Sequence, residues 1–299
     1  MDLENIAKQL EASPDFKVLR RLVPRTHFYD LPAAGLKRGV IVDTETTGVN
    51  AAHDEIIELG MVVFSYDAIS GQVHRVLETI SALEQPLKPI PPETTKVHGI
   101  TDDMVRDKRI DDAKVAAMLS GVDLVIAHNA AFDRVLLERR LPVFESVRWS
   151  CSFKEVPWRE EGIGSQKLDY ILNQFGFFHD AHRAEADCLA LLEVLQQHLP
   201  GSGRLGLSWM LESQRQPAYR IWATGSPFDN KDKLKELGYR FDGTTKVWNL
   251  LTTADQVEQD LVTLKDAGFN GRSARVQLEM LDGLVKYSQR PGEKVQRSI

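Results

Sequence analysis

Cysteine is nearly absent: Cys151 and Cys188 are the 2 that the 299-residue chain contains. Two thiols exclude a disulfide framework and fit a reducing compartment, so a cytoplasmic location is expected. Long apolar runs are missing too, and none approaches the roughly 20 residues that a membrane-crossing helix needs. The opening residues MDLENIAKQL carry acids and lack the apolar stretch and small-residue cleavage site of a secretory leader. No membrane partner is expected. Internal repeats and low-complexity tracts are not visible. Nor is there an excess of positive charge, since 37 Lys+Arg stand against 43 Asp+Glu for a formal net charge of −6. As a total, that balance argues against a nucleic-acid partner. Its distribution argues otherwise: residues 1–38 carry +2, residues 39–200 carry −11 and residues 201–299 carry +3. An acidic middle lies between mildly basic flanks.

What is present is an ordinary globular composition, with chain enough for one large domain or two smaller ones. Short apolar runs rich in β-branched residues predict strands at GVIVD (39–43), EIIELGMVVF (55–64) and VDLVIAH (122–128), and QVHRVLETI (72–80) alternates as a further strand. Helical spacing runs through TDDMVRDKRIDDAKVAAML, NAAFDRVLLERR, SQKLDYILNQFG and RAEADCLALLEVLQQHL. The economical arrangement is α/β, a mixed sheet with helices against it. The expected division is an N-terminal helical extension over 1–37, an α/β domain over 38–200, a Gly/Ser-containing linker over 201–216, a small α+β module over 217–270, and a C-terminal helix and tail over 271–299.

The first chemical signal is Asp43 and Glu45, at i and i+2 near the end of a strand, where both side chains share one face. Two such carboxylates repel each other and resist burial unless a cation joins them. Oxygen donors of this kind suit Mg²⁺ or Mn²⁺ rather than zinc. Alone, the pair reads equally well as an acidic turn. Asn129, a candidate helix cap, and Asp133 stand at i and i+4 just beyond a strand, which sets Asp133 near that strand's carboxyl end; alone, Asp133 reads as a surface residue of an amphipathic helix. His182 and Asp187 are five positions apart, about 140° on one ideal helix. They converge only if the histidine lies on the preceding loop; alone, His182 reads as an exposed loop residue.

Together and in order, DTETTG (43–48), HNAAFD (128–133) and HRAEAD (182–187) resemble the three motifs of the DEDDh subfamily of DnaQ-like 3′→5′ exonucleases. That group includes the proofreading subunit of bacterial replicative polymerase, RNase T and oligoribonuclease. The intermotif stretch IPPETTKVHGIT (90–101) fits the same pattern, so the resemblance covers roughly residues 38–200. It implies an RNase H-like fold with a mixed five-stranded sheet. It implies two divalent cations, Mg²⁺ or Mn²⁺, about 3.5–4 Å apart. Asp43 would bridge them, Glu45 and Asp187 would complete the nucleophile-side ion, and Asp133 would hold the second through water. His182 would be the general base, a role suited to a pKa near the working pH. Thr46, Thr47 and Gly48 would approach the terminal nucleotide, His98 would pack on it, and His128 and Phe132 would line the cleft or support it. The implied substrate is an unpaired 3′ end of single-stranded DNA or RNA, with DNA favoured and nucleoside 5′-monophosphates released. A polymerase-associated proofreading subunit, or a nucleic-acid-binding module with little turnover, are the alternatives.

In the last third, RIWATG, a helix at NKDKLKELG and a hairpin around Asp242-Gly243 form a small module. Basic residues interleave with aromatics there, and Trp222, Lys233, Arg240 and Trp248 are candidate nucleic-acid contacts, although many of these rings serve equally as core. Gln277-Leu278-Glu279-Met280-Leu281 is similar to the pentapeptide with which polymerase partners bind the sliding clamp, and reads equally as part of an amphipathic helix.

Overall fold

A computed structural model describes residues 2–299, which form two compact units, 2–211 and 212–299. Among the described residues no helix is long and apolar enough to cross a membrane.

The first unit is built on a five-stranded sheet of β2 (Lys37–Thr46), β3 (Ile56–Tyr66), β4 (Val73–Leu83), β5 (Leu124–Ala127) and β6 (Trp149–Cys151), in the order β4-β3-β2-β5-β6. Strands β2, β3 and β4 form an antiparallel meander, while β5 and β6 run parallel to β2. This is the mixed sheet expected for an RNase H-like fold. All of β3 is buried, which explains why its sequence is a continuous apolar run rather than an alternating one. Helix α1 (Leu3–Glu11) precedes the sheet, and α2 (Pro92–His98), α3 (Asp102–Val105) and α4 (Asp112–Leu119) follow β4. Helices α5 (Ala130–Arg140), α6 (Ser152–Glu155), α7 (Leu168–Gln174) and α8 (Ala184–Leu195) complete this part. The main core joins Ile41, Val62, Phe64 and Ile126 of the sheet to Leu191, Leu192 and Leu195 of α8. A small two-stranded sheet pairs β1 (Arg20–Arg21) with β7 (Phe177–Phe178) in parallel.

Three sequence expectations are corrected here. The single helix expected over 101–119 is two, because Arg106 leaves the helical region and Asp107 adopts a φ of 56°. That break lets both Val105 and Ile110 turn inward and be buried. Residues 206–213, expected within a linker, form helix α9 (Gly206–Ser213), with Leu207 and Met210 buried in the first unit's core. Asn129 stands at the N-cap of α5 but its side chain caps nothing.

The second unit is an antiparallel sheet of β8 (Ala218–Trp222), β9 (Arg240–Asp242), β10 (Val247–Thr253), β11 (Arg275–Leu281) and β12 (Glu293–Ser298), in the order β12-β11-β8-β10-β9. One face packs Ile221, Trp248, Val276 and Leu278 against Leu234 of α10 (Lys231–Glu236) and Leu261 of α11 (Val257–Thr263). The helix expected over 271–299 is two strands instead. Gln277–Leu281 lies within β11, hydrogen-bonded on both sides by β8 and β12, with Leu278, Glu279 and Leu281 buried. A strand in that position cannot serve as a free clamp-binding peptide.

Candidate active site

The site is assembled at the carboxyl end of β2. Asp43 and Glu45 share a face, and across the β2–β3 ladder they stand opposite Gly60 and Glu58. Gly60 decides what can lie over them. A Cβ built on it would sit 2.3 Å from the Ala184 carbonyl carbon and 2.5 Å from the Glu185 nitrogen, so the start of α8 rests directly on β3 backbone. That approach brings in Asp187 from the first turns of α8. One oxygen from each of Asp43, Glu45 and Asp187 then lies within 4.8 Å of the others. Asp133 enters from the first turn of α5, beyond β5, and is buried. Its Oδ1 accepts a hydrogen bond from the Thr44 hydroxyl at 2.8 Å. The three-carboxylate cluster does not itself include Asp133.

Carboxylates so placed repel. Burial, followed by the charges of Asp133, Asp187, Glu45 and Glu58, pushes Asp43 well above the usual carboxylate range. Burial and the charges of Asp187, Glu58 and Asp133 raise Glu45 to about 8. Burial raises Asp133 to about 6, against the pull of its Thr44 hydrogen bond. Three repelling oxygen donors around one point fit a hard divalent cation. Glu58 behaves differently: burial would raise its pKa, but hydrogen bonds from Arg183, Ser81 and the Ala184 N–H hold it below the ordinary value. The Arg183 guanidinium reaches Glu58 at 2.9 Å and anchors the loop before α8 to β3.

These shifts give a pH prediction. Raised carboxylates mean that the metal-free folded protein holds more protons than the unfolded chain between about pH 4 and about pH 8. Its stability therefore falls as pH rises through that window. A divalent cation replaces those protons, so the gain in Tm on adding Mn²⁺ to EDTA-treated protein should grow from pH 5.5 to pH 8. Thermal melts with and without the ion check this, and a gain independent of pH would contradict it.

The remaining expected residues divide clearly. His182 is exposed on the loop before α8, in left-handed backbone with φ 66°, and near enough to His98 for their charges to interact. His98 is buried, its Nδ1 accepts from the Ile100 N–H at 3.0 Å, and burial lowers its pKa. Its Nε2 makes no hydrogen bond of ordinary geometry among the described residues, although the Thr46 backbone lies near enough to interact with the ring. The segment carrying it is pinned where Ile90, Ile100 and Val105 pack on Ile57.

Thr46 donates to the Gly48 carbonyl at 2.6 Å and Thr47 donates to Asp54 at 3.1 Å. Both hydroxyls thus shape the loop, as does the Thr47 N–H, which donates to the Glu55 carbonyl at 3.0 Å. Phe132 is half-buried. Of the two roles open to His128, its partners fit that of a support: Nε2 donates to the Gln166 carbonyl at 2.7 Å, and Nδ1 accepts from the Ser152 hydroxyl at 2.9 Å. In the second unit the four candidates do not share a surface. Arg240, Asn249 and Trp222 fall in one row of the outer sheet face, while Trp248 packs toward the helices and Lys233 bonds Asn270. Trp222 is buried, its indole N–H donating to Glu279 at 2.8 Å.

Sequence reasoning missed Gly60, Glu58, Arg183 and His179. The last places Nε2 at 2.7 Å from Asp187 Oδ1. A histidine eight residues before Asp187 was its signal, hidden because the motif begins three residues later.

The sequence model of the family described as Exonuclease matches residues 40–195. The DNA polymerase III subunit epsilon of Treponema pallidum (strain Nichols) is 34% identical over 162 residues, 51% of this chain and 72% of that protein. The exodeoxyribonuclease 10 of Escherichia coli (strain K12) is 36% identical over 172 residues, 54% of this chain and 69% of that protein. A solved exonuclease X in complex with 5′ overhanging duplex DNA covers 52% of this chain and 90% of that one, at 27% identity and a TM-score of 0.40. The family match spans all but the first three residues of the five-stranded sheet and includes all four acids, and on that basis the chain belongs to the exonuclease family as a DnaQ-like, metal-dependent 3′→5′ exonuclease that acts on nucleic acid.

Proposed function

We propose that the enzyme removes nucleotides one at a time from single-stranded or frayed 3′ ends, DNA in preference to RNA, and releases nucleoside 5′-monophosphates. The observation that carries this reading is the convergence of Asp43, Glu45 and Asp187 within 4.8 Å beneath an exposed histidine loop. Asp43, Glu45 and Asp187 would hold one Mg²⁺ or Mn²⁺, and Asp133 would hold a second. When bound, such ions make a nucleophile from water at neutral pH and neutralise the leaving oxygen. His182, exposed on its loop, takes the proton from the attacking water. The backbone of 46–48 and the Nε2–H of His98 contact the terminal nucleotide. An unpaired last nucleotide is proposed because a terminal phosphodiester has to come free of its partner strand to reach the carboxylates.

In the second unit, taken by itself, Arg240 on the outer sheet face is a candidate phosphate contact. Two buried, unpaired thiols at Cys151 and Cys188 favour a reducing compartment. The relatives include a polymerase subunit, but the segment expected to reach a clamp is an inner strand, and a free-standing enzyme is the reading adopted. Single-stranded DNA, duplex DNA and short RNA, each 3′-labelled and incubated with Mg²⁺, test it: mononucleotide release should be fastest from single-stranded DNA. Release of oligonucleotides, or equal attack on blunt duplex, would overturn it. His182→Ala should lower kcat about 10²–10⁴-fold with KM little changed, and full activity of that variant would remove the base assignment.

A further inference from the structure

His179 sits on the loop between β7 and α8, outside the three motifs. Its side chain is 6% exposed, and Nε2 donates to Asp187 Oδ1 at 2.7 Å. The Arg183 backbone N–H donates to the other oxygen, Oδ2, at 3.1 Å. Each oxygen of Asp187 therefore has one fixed donor and keeps a lone pair for a cation. Asp187 is also one of three mutually repelling carboxylates, and an unrestrained side chain would swing away from Asp43 and Glu45. Two donors at fixed positions prevent that rotation. On its far side the ring faces Asp169, with Nδ1 at 3.4 Å from Oδ1.

What holds His179 is equally specific. Strand β7 is two residues long and has no stability of its own. It is paired by β1: Arg20 N–H donates to the Gly176 carbonyl at 2.8 Å and Leu22 N–H to the Phe178 carbonyl at 2.7 Å. The Arg21 guanidinium pairs with Asp180 at 2.6 Å and covers the Phe178 ring at 5.0 Å. Arg25 grips Glu193 of α8 through two hydrogen bonds, at 2.9 and 2.7 Å. Residues 20–25 thus fasten both the strand that carries His179 and the helix that carries Asp187. They lie outside the region matched by the family, 40–195.

We propose that His179 is a positioning residue for the metal centre, locking Asp187 in its ligating orientation while the N-terminal segment 20–25 locks His179. The inference rests on the reading of Asp43, Glu45 and Asp187 as a divalent-cation site. Hydrogen-bond partners of metal ligands typically account for 10–100-fold in metal affinity.

The test is a Mn²⁺ titration of the full chain, with free ion followed by electron paramagnetic resonance. His179→Ala should weaken Mn²⁺ binding about 10–100-fold while melting in EDTA like the parent. His179→Gln, whose amide N–H reaches the same oxygen, should recover most of the affinity. Parent-like Mn²⁺ affinity in His179→Ala would overturn the proposal, as would a glutamine variant no better than alanine with melting intact. Arg21→Ala leaves the ring in place and loosens its clamp. It should weaken the ion in the same direction, and it carries the test if the alanine variant does not fold. A parent protein that binds no Mn²⁺ would instead defeat the cation-site reading beneath it.

Discussion

Asp43→Ala should reduce exonuclease kcat on the order of 10³-fold or more while making the metal-free protein more stable at pH 8. The two effects share one cause. Asp43 faces Asp133, Asp187, Glu45 and Glu58, and burial together with their charge pushes its pKa well above the usual carboxylate range. Removing it relieves crowding of carboxylates in a folded state that holds no cation, and the same removal takes away one of the three that converge within 4.8 Å. Activity and stability therefore move in opposite directions, as expected where a site stores unfavourable contacts for function. A 3′-labelled single-strand assay with Mg²⁺ measures the first, and melting in EDTA at pH 8 measures the second. A variant that lost activity and stability together would mark Asp43 as structural support.

Gly60→Ala should be nearly as damaging, although Gly60 touches no substrate. The new methyl would meet the backbone of Ala184 and Glu185 rather than a side chain that could step aside. Relief requires the start of α8 to lift from β3, at a cost of about 3 kcal/mol, which corresponds to a Tm lower by on the order of 10 °C. Lifting α8 also carries Asp187 away from Asp43, so kcat should fall along with stability, and Mn²⁺ affinity should weaken. Melting and turnover at parent levels would show that the helix has room to spare at this point.

The parts of the fold legible in the sequence are those set by local pattern. Continuous apolar runs marked β3 and β5, and a strong 3.6-residue period marked α8, because both follow directly from burial on known faces. The four acids were legible because motif order carries them. Illegible were features created by contact across long sequence distances. Nothing local marks Gly60 as the seat of α8, or Glu58 as the anchor of Arg183, 125 positions away. Val276, Leu278 and Met280 alternate as a strand does, yet Glu279 and Leu281 between and beyond them complete an equally good helical pattern. The strand wins because Glu279 is buried against Arg220 and Trp222 of the neighbouring strand, a pairing invisible before the sheet is assembled. The choice between lining and supporting the cleft was illegible for His128 for a similar reason, since its two partners lie 24 and 38 residues downstream.

The β1–β7 pairing sets where this enzyme can be cut. A fragment trimmed to 40–195, where kinship with other exonucleases is detectable, would leave β7 with open hydrogen-bonding groups. It would also strip Leu22 from the core and leave Glu193 buried without its guanidinium. Inherited similarity and mechanical integrity have different borders here. A minimal expression fragment has to begin ahead of Arg20, some twenty residues before the recognisable domain starts.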